Sequence, residues 1–148
     1  MAETLGTLSD KLTIVKLKQF HTEDEIRLQS LASQETQLQN EIDELVKDAI
    51  NGKIPVEKLT FSSNKVYKKE GNETQDLTGS IGQVFGFLAD TNCKLWHVQE
   101  KVYEFETVPA AEKDSVIKEL AILNLERNNC IDEIDKLFVS LIKQGVDE

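Results

Sequence analysis

The sequence predicts an all-α fold, an antiparallel bundle of three or four long helices. Residues 8–51 contain neither glycine nor proline, and apolar residues recur through them at helical spacing. The whole chain has two prolines and seven glycines in 148 residues, and most of the turn-forming residues fall between 52 and 79. The length suits one folding unit, so we expect a single domain over residues 1–148 with an irregular connection at 52–79.

The first helical region should extend from about residue 8 to 51, with Ser9 or Asp10 as candidate N-cap residues. Unbroken, this helix would be about 63 Å long and would overhang a monomeric bundle, so we expect a homodimer that covers it. A bend near "SLASQ", residues 30–34, is the alternative. A heptad seam predicts that His21, Asp24 and Glu35 lie on the inward side among apolar residues. The inward positions are Ile14, Leu17, His21, Asp24, Leu28, Leu31, Glu35, Leu38, Ile42, Leu45 and Ala49.

The second half of the chain predicts two further helices. One should extend from about residue 80 to 106, and another from Pro109, a favourable first-turn residue, to about Gln144, before Gly145 stops it. Between the first and second helical regions, residues 58–72 contain short β-favouring pieces that could form a small hairpin. The predicted seam of the last helix is Ile117, Leu120, Asn124, Arg127, Ile131, Ile134, Phe138 and Leu141.

Two short stretches recur in the chain. "FHTED" at 20–24 aligns with "WHVQE" at 96–100, and "EIDELV" at 41–46 aligns with "EIDKLF" at 133–138. One explanation is the duplication of a helical unit, with copies at about 8–50 and 80–144. The other is chance similarity between acidic amphipathic helices; the uncommon aromatic-His pair favours duplication.

The second half also resembles an all-helical bacterial family of unknown function whose members read N-x-x-L-W-H-x-E-D and then N-x-x-R-N-x-x-I-D-x-I-D. The matching residues are Asn92, Leu95, Trp96, His97 and Glu100, followed by Asn124, Arg127, Asn128, Ile131, Asp132, Ile134 and Asp135. Gln99 departs from the acid in the family pattern. The resemblance covers about residues 80–140 and implies a helical fold without an established activity.

Paired histidine and acidic residues make a divalent metal ion the candidate cofactor. Imidazole and carboxylate groups three or four residues apart on a helix can converge on one ion. The candidate ligands are His97, Glu100, His21 and Asp24. The first pair belongs to an acidic face that also contains Asp90, Cys93 and Glu104. The alternatives are a solvated face for that pair and a structural His-acid pair for the other.

Arg127 is the most informative single residue, because a guanidinium on a helix seam needs an anionic partner. Asp24, Glu35, Glu100 or a small anionic ligand could supply that partner. With a ligand, the candidate binding residues are Asn124, Arg127, Asn128 and Trp96. Trp96 could equally be a core anchor.

The formal net charge of -10 argues against nucleic-acid and membrane-surface partners. We expect a cytoplasmic protein with reduced cysteines, since the chain shows no secretory signal, membrane span or CxxC pair. The first functional hypothesis is a helical interaction or assembly protein in which His97, Glu100, Asn124 and Arg127 form a buried polar network. The second is a metal-dependent hydrolase or transferase acting on a phosphorylated sugar or nucleotide.

Overall fold

The structure is a computed structural model that describes residues 2–61 and 79–146, and all regular structure in these two ranges is helical. The α-helices are α1 (Leu5–His21), α2 (Glu25–Ile50), α3 (Ile81–Tyr103) and α4 (Ala110–Val146). Short 3-10 helices occur at Val56–Lys58 and Phe105–Thr107. The all-α bundle is confirmed, with the first predicted helical region divided into two helices. Most of the predicted hairpin at 58–72 lies outside the described residues.

Side-chain caps define where the helices begin. Thr4 and Thr7 form a capping box at α1, in which the Thr7 N–H donates to Thr4 and the Thr4 N–H donates to Thr7 at 2.8 Å. Ser80 and Gln83 form the same device at α3. The expectation that Ser9 or Asp10 caps the first helix is therefore wrong, and Asp10 lies buried inside α1.

The first helical region breaks at residues 22–24. Asp24 takes an extended conformation and its carboxylate accepts the Ile26 N–H at 3.0 Å, so it caps the start of α2. Both earlier expectations, an unbroken helix and a bend at 30–34, are wrong. The seam is also wrong at this point, because His21 and Asp24 are exposed rather than inward. The break removes the long overhang from which we expected a homodimer.

The helices pack as two hairpins, α1 with α2 and α3 with α4, and α1 also contacts both helices of the second hairpin. Gly6 pairs with Asp135 and Asp10 pairs with Arg127, so α1 is antiparallel to α4. The α1 helix therefore lies along the α3–α4 hairpin, with α2 packed on it. This arrangement makes α1 the element on which the polar contacts between hairpins converge.

The largest apolar cluster joins α1, α2, α3, α4 and the segment after α2. Its buried members are Leu5, Ala49, Leu59, Val84, Leu88, Cys130, Ile131, Ile134 and Phe138. A second cluster between α3 and α4 contains Leu95, Val98, Val116 and Leu123, and a third between α1 and α2 contains Leu8, Val15 and Leu38. In the described residues, no helix combines the length and apolar character that crossing a membrane requires.

The predicted seam of α4 is correct at Leu120, Ile131, Ile134 and Phe138 and wrong at Ile117, Asn124 and Leu141. Ile131, Ile134 and Phe138 are buried, whereas Ile117 and Leu141 are more than half exposed. The buried residues that face the second cluster, Val116 and Leu123, lie one position before the predicted Ile117 and Asn124. A strict seven-residue repeat drifts by about 20° per heptad around a straight helix, which over 37 residues carries it off the buried face.

Candidate functional site

A buried carboxylate on α1 ties the two hairpins together. Asp10 is 3% exposed and accepts hydrogen bonds from Asn92 Nδ2 at 2.9 Å and Arg127 Nε at 2.8 Å on the same oxygen. Arg127 Nη2 donates to the other oxygen at 2.5 Å. The forked guanidinium matches both carboxylate oxygens, the geometry in which Arg-carboxylate pairs are strongest. We call Asp10, Asn92 and Arg127 the polar joint.

A second buried carboxylate, on α4, holds the start of α1. Asp135 is 2% exposed, and its Oδ1 accepts the Gly6 N–H at 2.8 Å. Burial raises the pKa of Asp135 to about 6, while hydrogen bonds from Gly6 and Thr4 oppose that rise. A Cβ at Gly6 would overlap the carbonyl oxygen of Ile131, so glycine lets α1 approach α4 closely.

The polar network differs from the predicted one in its members. Arg127 belongs to it, and its pKa is raised chiefly by the hydrogen bond to Asp10. The asparagine in the network is Asn92 rather than the predicted Asn124, and the acid is Asp10 rather than Glu100. His97, Glu100 and Asn124 are exposed and lie outside it. The network therefore fixes how α1 sits on the α3–α4 hairpin.

None of the three acids proposed as partners of Arg127 binds it. Asp24 caps α2, Glu35 accepts from Lys16 at 2.7 Å, and Glu100 accepts from Trp96 Nε1 at 2.9 Å. One feature of the sequence did point to the actual partner: Asp10 lies within the apolar run of α1, between Leu8 and Leu12. The prediction that Asp10 caps the helix excluded it as a candidate partner of Arg127.

Three of the four predicted ligand-binding residues, Trp96, Asn124 and Arg127, line a common cleft of about 220 Å³. Ile14 and Leu17 of α1 form part of its wall. Asn128 is half-buried and is not among the residues that line it. Because Asp10 already neutralises Arg127, this cleft offers little net attraction to an anion.

Aromatic side chains gather where α1 ends. His21 stacks on Trp96 with ring centroids 4.7 Å apart and planes 12° apart, and Phe20 meets His21 edge-on at 5.2 Å. A groove of about 430 Å³ is lined by Lys18, His21, Trp96, Gln99, Glu100 and Tyr103. We call Phe20, His21, Trp96 and Tyr103 the aromatic end.

The predicted metal ligands are all on the surface. His21 and Glu100 line the same groove, Asp24 is engaged as a cap, and His97 is exposed, about 100° around α3 from Trp96. Across the described ranges, no three His, Cys, Asp or Glu residues are grouped so that they could hold a metal ion. The acidic face of α3 is exposed along its length, from Asp90 to Glu104.

Both cysteines are free thiols, as expected, but their environments differ. Cys93 is exposed and Cys130 is buried. Burial, together with the nearby carboxylates of Glu126 and Asp10, raises the pKa of the Cys130 thiol to about 11. Cys130 therefore behaves as a core residue rather than as a nucleophile.

No family model, no curated protein and no solved structure matches this chain. The resemblance to the all-helical bacterial family thus stays a prediction. In the structure, residues from both motifs meet at α1: Asn92 and Arg127 at the polar joint, and Asp135 at Gly6.

Proposed function

We propose that the protein is a helical interaction and assembly module that forms a homodimer through its aromatic end. The observation that carries this proposal is the exposure of Phe20 and Tyr103, each 84% accessible, next to the His21–Trp96 stack. Burying one such ring is worth about 1.5–3 kcal/mol, so exposed rings at one end of a bundle favour association.

The groups around the aromatic end support a second copy of the chain as the partner. Lys18 and Glu100 line the same groove, and Lys101 and Glu104 flank Tyr103 in the sequence. A patch that contains both signs can pair with itself across a two-fold axis, cation to acid, although the chain as a whole carries -10. Aromatic side chains are also frequent energetic anchors of protein interfaces.

The enzyme hypothesis has less support. It needs both histidines and their acids around one ion, and the described residues offer no such group. The buried polar groups are instead engaged with one another, which is typical of packing. The cytoplasmic location expected from the sequence stays a prediction.

Light scattering after size exclusion at micromolar concentration tests the proposal. The wild type should have twice the chain mass of 16.7 kDa, and a Phe20→Ser/Tyr103→Ser double variant should have that mass once. Ile117→Ser is the matched control, because Ile117 is 54% exposed on α4 and does not belong to the aromatic end. A wild type that stays monomeric, or a double variant that stays dimeric, would refute the homodimer.

A further inference from the structure

A second groove, lined mainly by basic and hydroxyl side chains, lies at the corner between α1 and α2. It has a volume of about 460 Å³, within the range of about 300–1,000 Å³ common for small-ligand sites. Lys18, His21 and Arg27 line it, together with the hydroxyl residues Thr22 and Ser30. Leu31 and Trp96 complete its wall. We call it the corner pocket.

The corner pocket is basic within an acidic protein. The chain has 27 Asp and Glu residues against 17 Lys and Arg residues, yet no Asp or Glu among the described residues lines this pocket. Lys18 and Arg27 form no ion pair with any residue in the described ranges. Two cations that remain without a carboxylate partner leave the pocket with net attraction for an anion.

Glu23 and Glu25, the acids nearest in sequence, are exposed and do not line the corner pocket, and three other nearby acids are bonded elsewhere. Asp24 caps α2, Glu100 accepts the Trp96 indole N–H, and Glu35 binds Lys16 and Gln19. The carboxylates of Asp24, Glu35 and Glu100 therefore bind groups other than Lys18 and Arg27. This separates the corner pocket from the cleft at Arg127, whose guanidinium is already paired with Asp10.

We propose that the corner pocket binds a phosphate monoester of a flat ring, the chemistry of a nucleoside monophosphate. Lys18 and Arg27 would contact the phosphate oxygens, with Thr22 and Ser30 as hydroxyl donors. The apolar wall of Leu31 and Trp96 would contact the ring. This proposal goes beyond the assembly function. The corner pocket shares Lys18, His21 and Trp96 with the groove at the aromatic end, whereas Thr22, Arg27, Ser30 and Leu31 line the corner pocket and not that groove.

Trp96 is the single tryptophan of the chain and lines the pocket, so its fluorescence reports binding directly. The titrants are adenosine monophosphate, ribose 5-phosphate and adenosine, which present ring and phosphate, phosphate alone, and ring alone. The monophosphate should bind at least about tenfold more tightly than either of the others, about 1.4 kcal/mol. Equal affinity for adenosine or for ribose 5-phosphate would overturn the proposal.

Variants identify the site of binding. Lys18→Gln and Arg27→Gln should each weaken monophosphate binding about tenfold or more. Their melting temperatures should stay unchanged, because both side chains are exposed and unpaired among the described residues. Lys118→Gln removes the same charge from an exposed position on α4 and should leave affinity within about twofold. Equal weakening by all three variants, or by none, would show that binding does not involve the corner pocket.

Discussion

Asp10→Asn should weaken the fold without changing the shape of the side chain. The amide oxygen can still accept from Asn92 and from Arg127 Nε, but the amide nitrogen then faces Arg127 Nη2, donor against donor. The cost is one charge-assisted hydrogen bond and a guanidinium without its counter-ion. Since the Arg127 side chain is 33% exposed, water recovers part of this, and we expect a loss of about 2–3 kcal/mol in the free energy of unfolding.

Arg127→Met should cost more than Asp10→Asn. The Asp10 side chain is only 5% exposed, and this variant leaves its carboxylate with Asn92 as the remaining described partner. We therefore expect a loss of about 3–5 kcal/mol in the free energy of unfolding. The loss of unfolding free energy in the double variant should be at least about 1.5 kcal/mol smaller than the sum of the two single losses. The double variant contains neither charge, so no charge is left without its partner.

Urea unfolding followed by circular dichroism measures all members of this cycle. The matched control is Lys16→Gln, which removes an exposed ion pair to Glu35 and should leave the urea midpoint almost unchanged. Losses that add to within about 0.5 kcal/mol, or an Asp10→Asn loss as small as the control, would refute the polar joint as the tie between the hairpins.

The remaining predictions concern the start of α1 and the thiols. Gly6→Ala should lower stability by about 1–3 kcal/mol in thermal unfolding, because its Cβ would overlap α4. A Cβ at Gly82 would meet no atom within 4 Å among the described residues, so Gly82→Ala should raise stability by about 0.5–1 kcal/mol. A similar change in both variants would contradict the close approach of α1 to α4. The pKa of Asp135 is about 6 in the fold against about 3.9 in the unfolded chain, so this carboxyl binds more protons folded than unfolded between about pH 4 and 6. Wild-type stability relative to Asp135→Asn should therefore fall by about 2 kcal/mol as pH rises from 4 to 7. A pH-independent difference between the two proteins would show that Asp135 is not buried as described. At pH 8 a thiol reagent should label Cys93 rapidly and Cys130 only after unfolding, and rapid labelling of both would contradict the burial of Cys130.

The candidate site was predictable in part. Arg127 was correctly expected to need an anionic partner, because a guanidinium near a helix seam is costly alone. Its partner was not predictable, since Asp10 lies 117 positions away along the chain and resembles a cap in the sequence. The two aromatic-His stretches lie in different environments: His21 stacks on Trp96, and His97 faces solvent.

Local sequence signals were enough to predict the helical class and most helix ends, because helical periodicity, capping residues and turn-forming residues act over a few positions. The sequence also contained the capping signal of Asp24 that divides the first region, although a seam drawn through that point obscured it. Three outcomes could not be predicted without the packed fold: which helix faces are buried, how α1 contacts the second hairpin, and which cations stay unpaired among the described residues. Those outcomes depend on helix rotation and on contacts between distant segments, and a rotation of one residue, about 100°, exchanges a buried side chain for an exposed one.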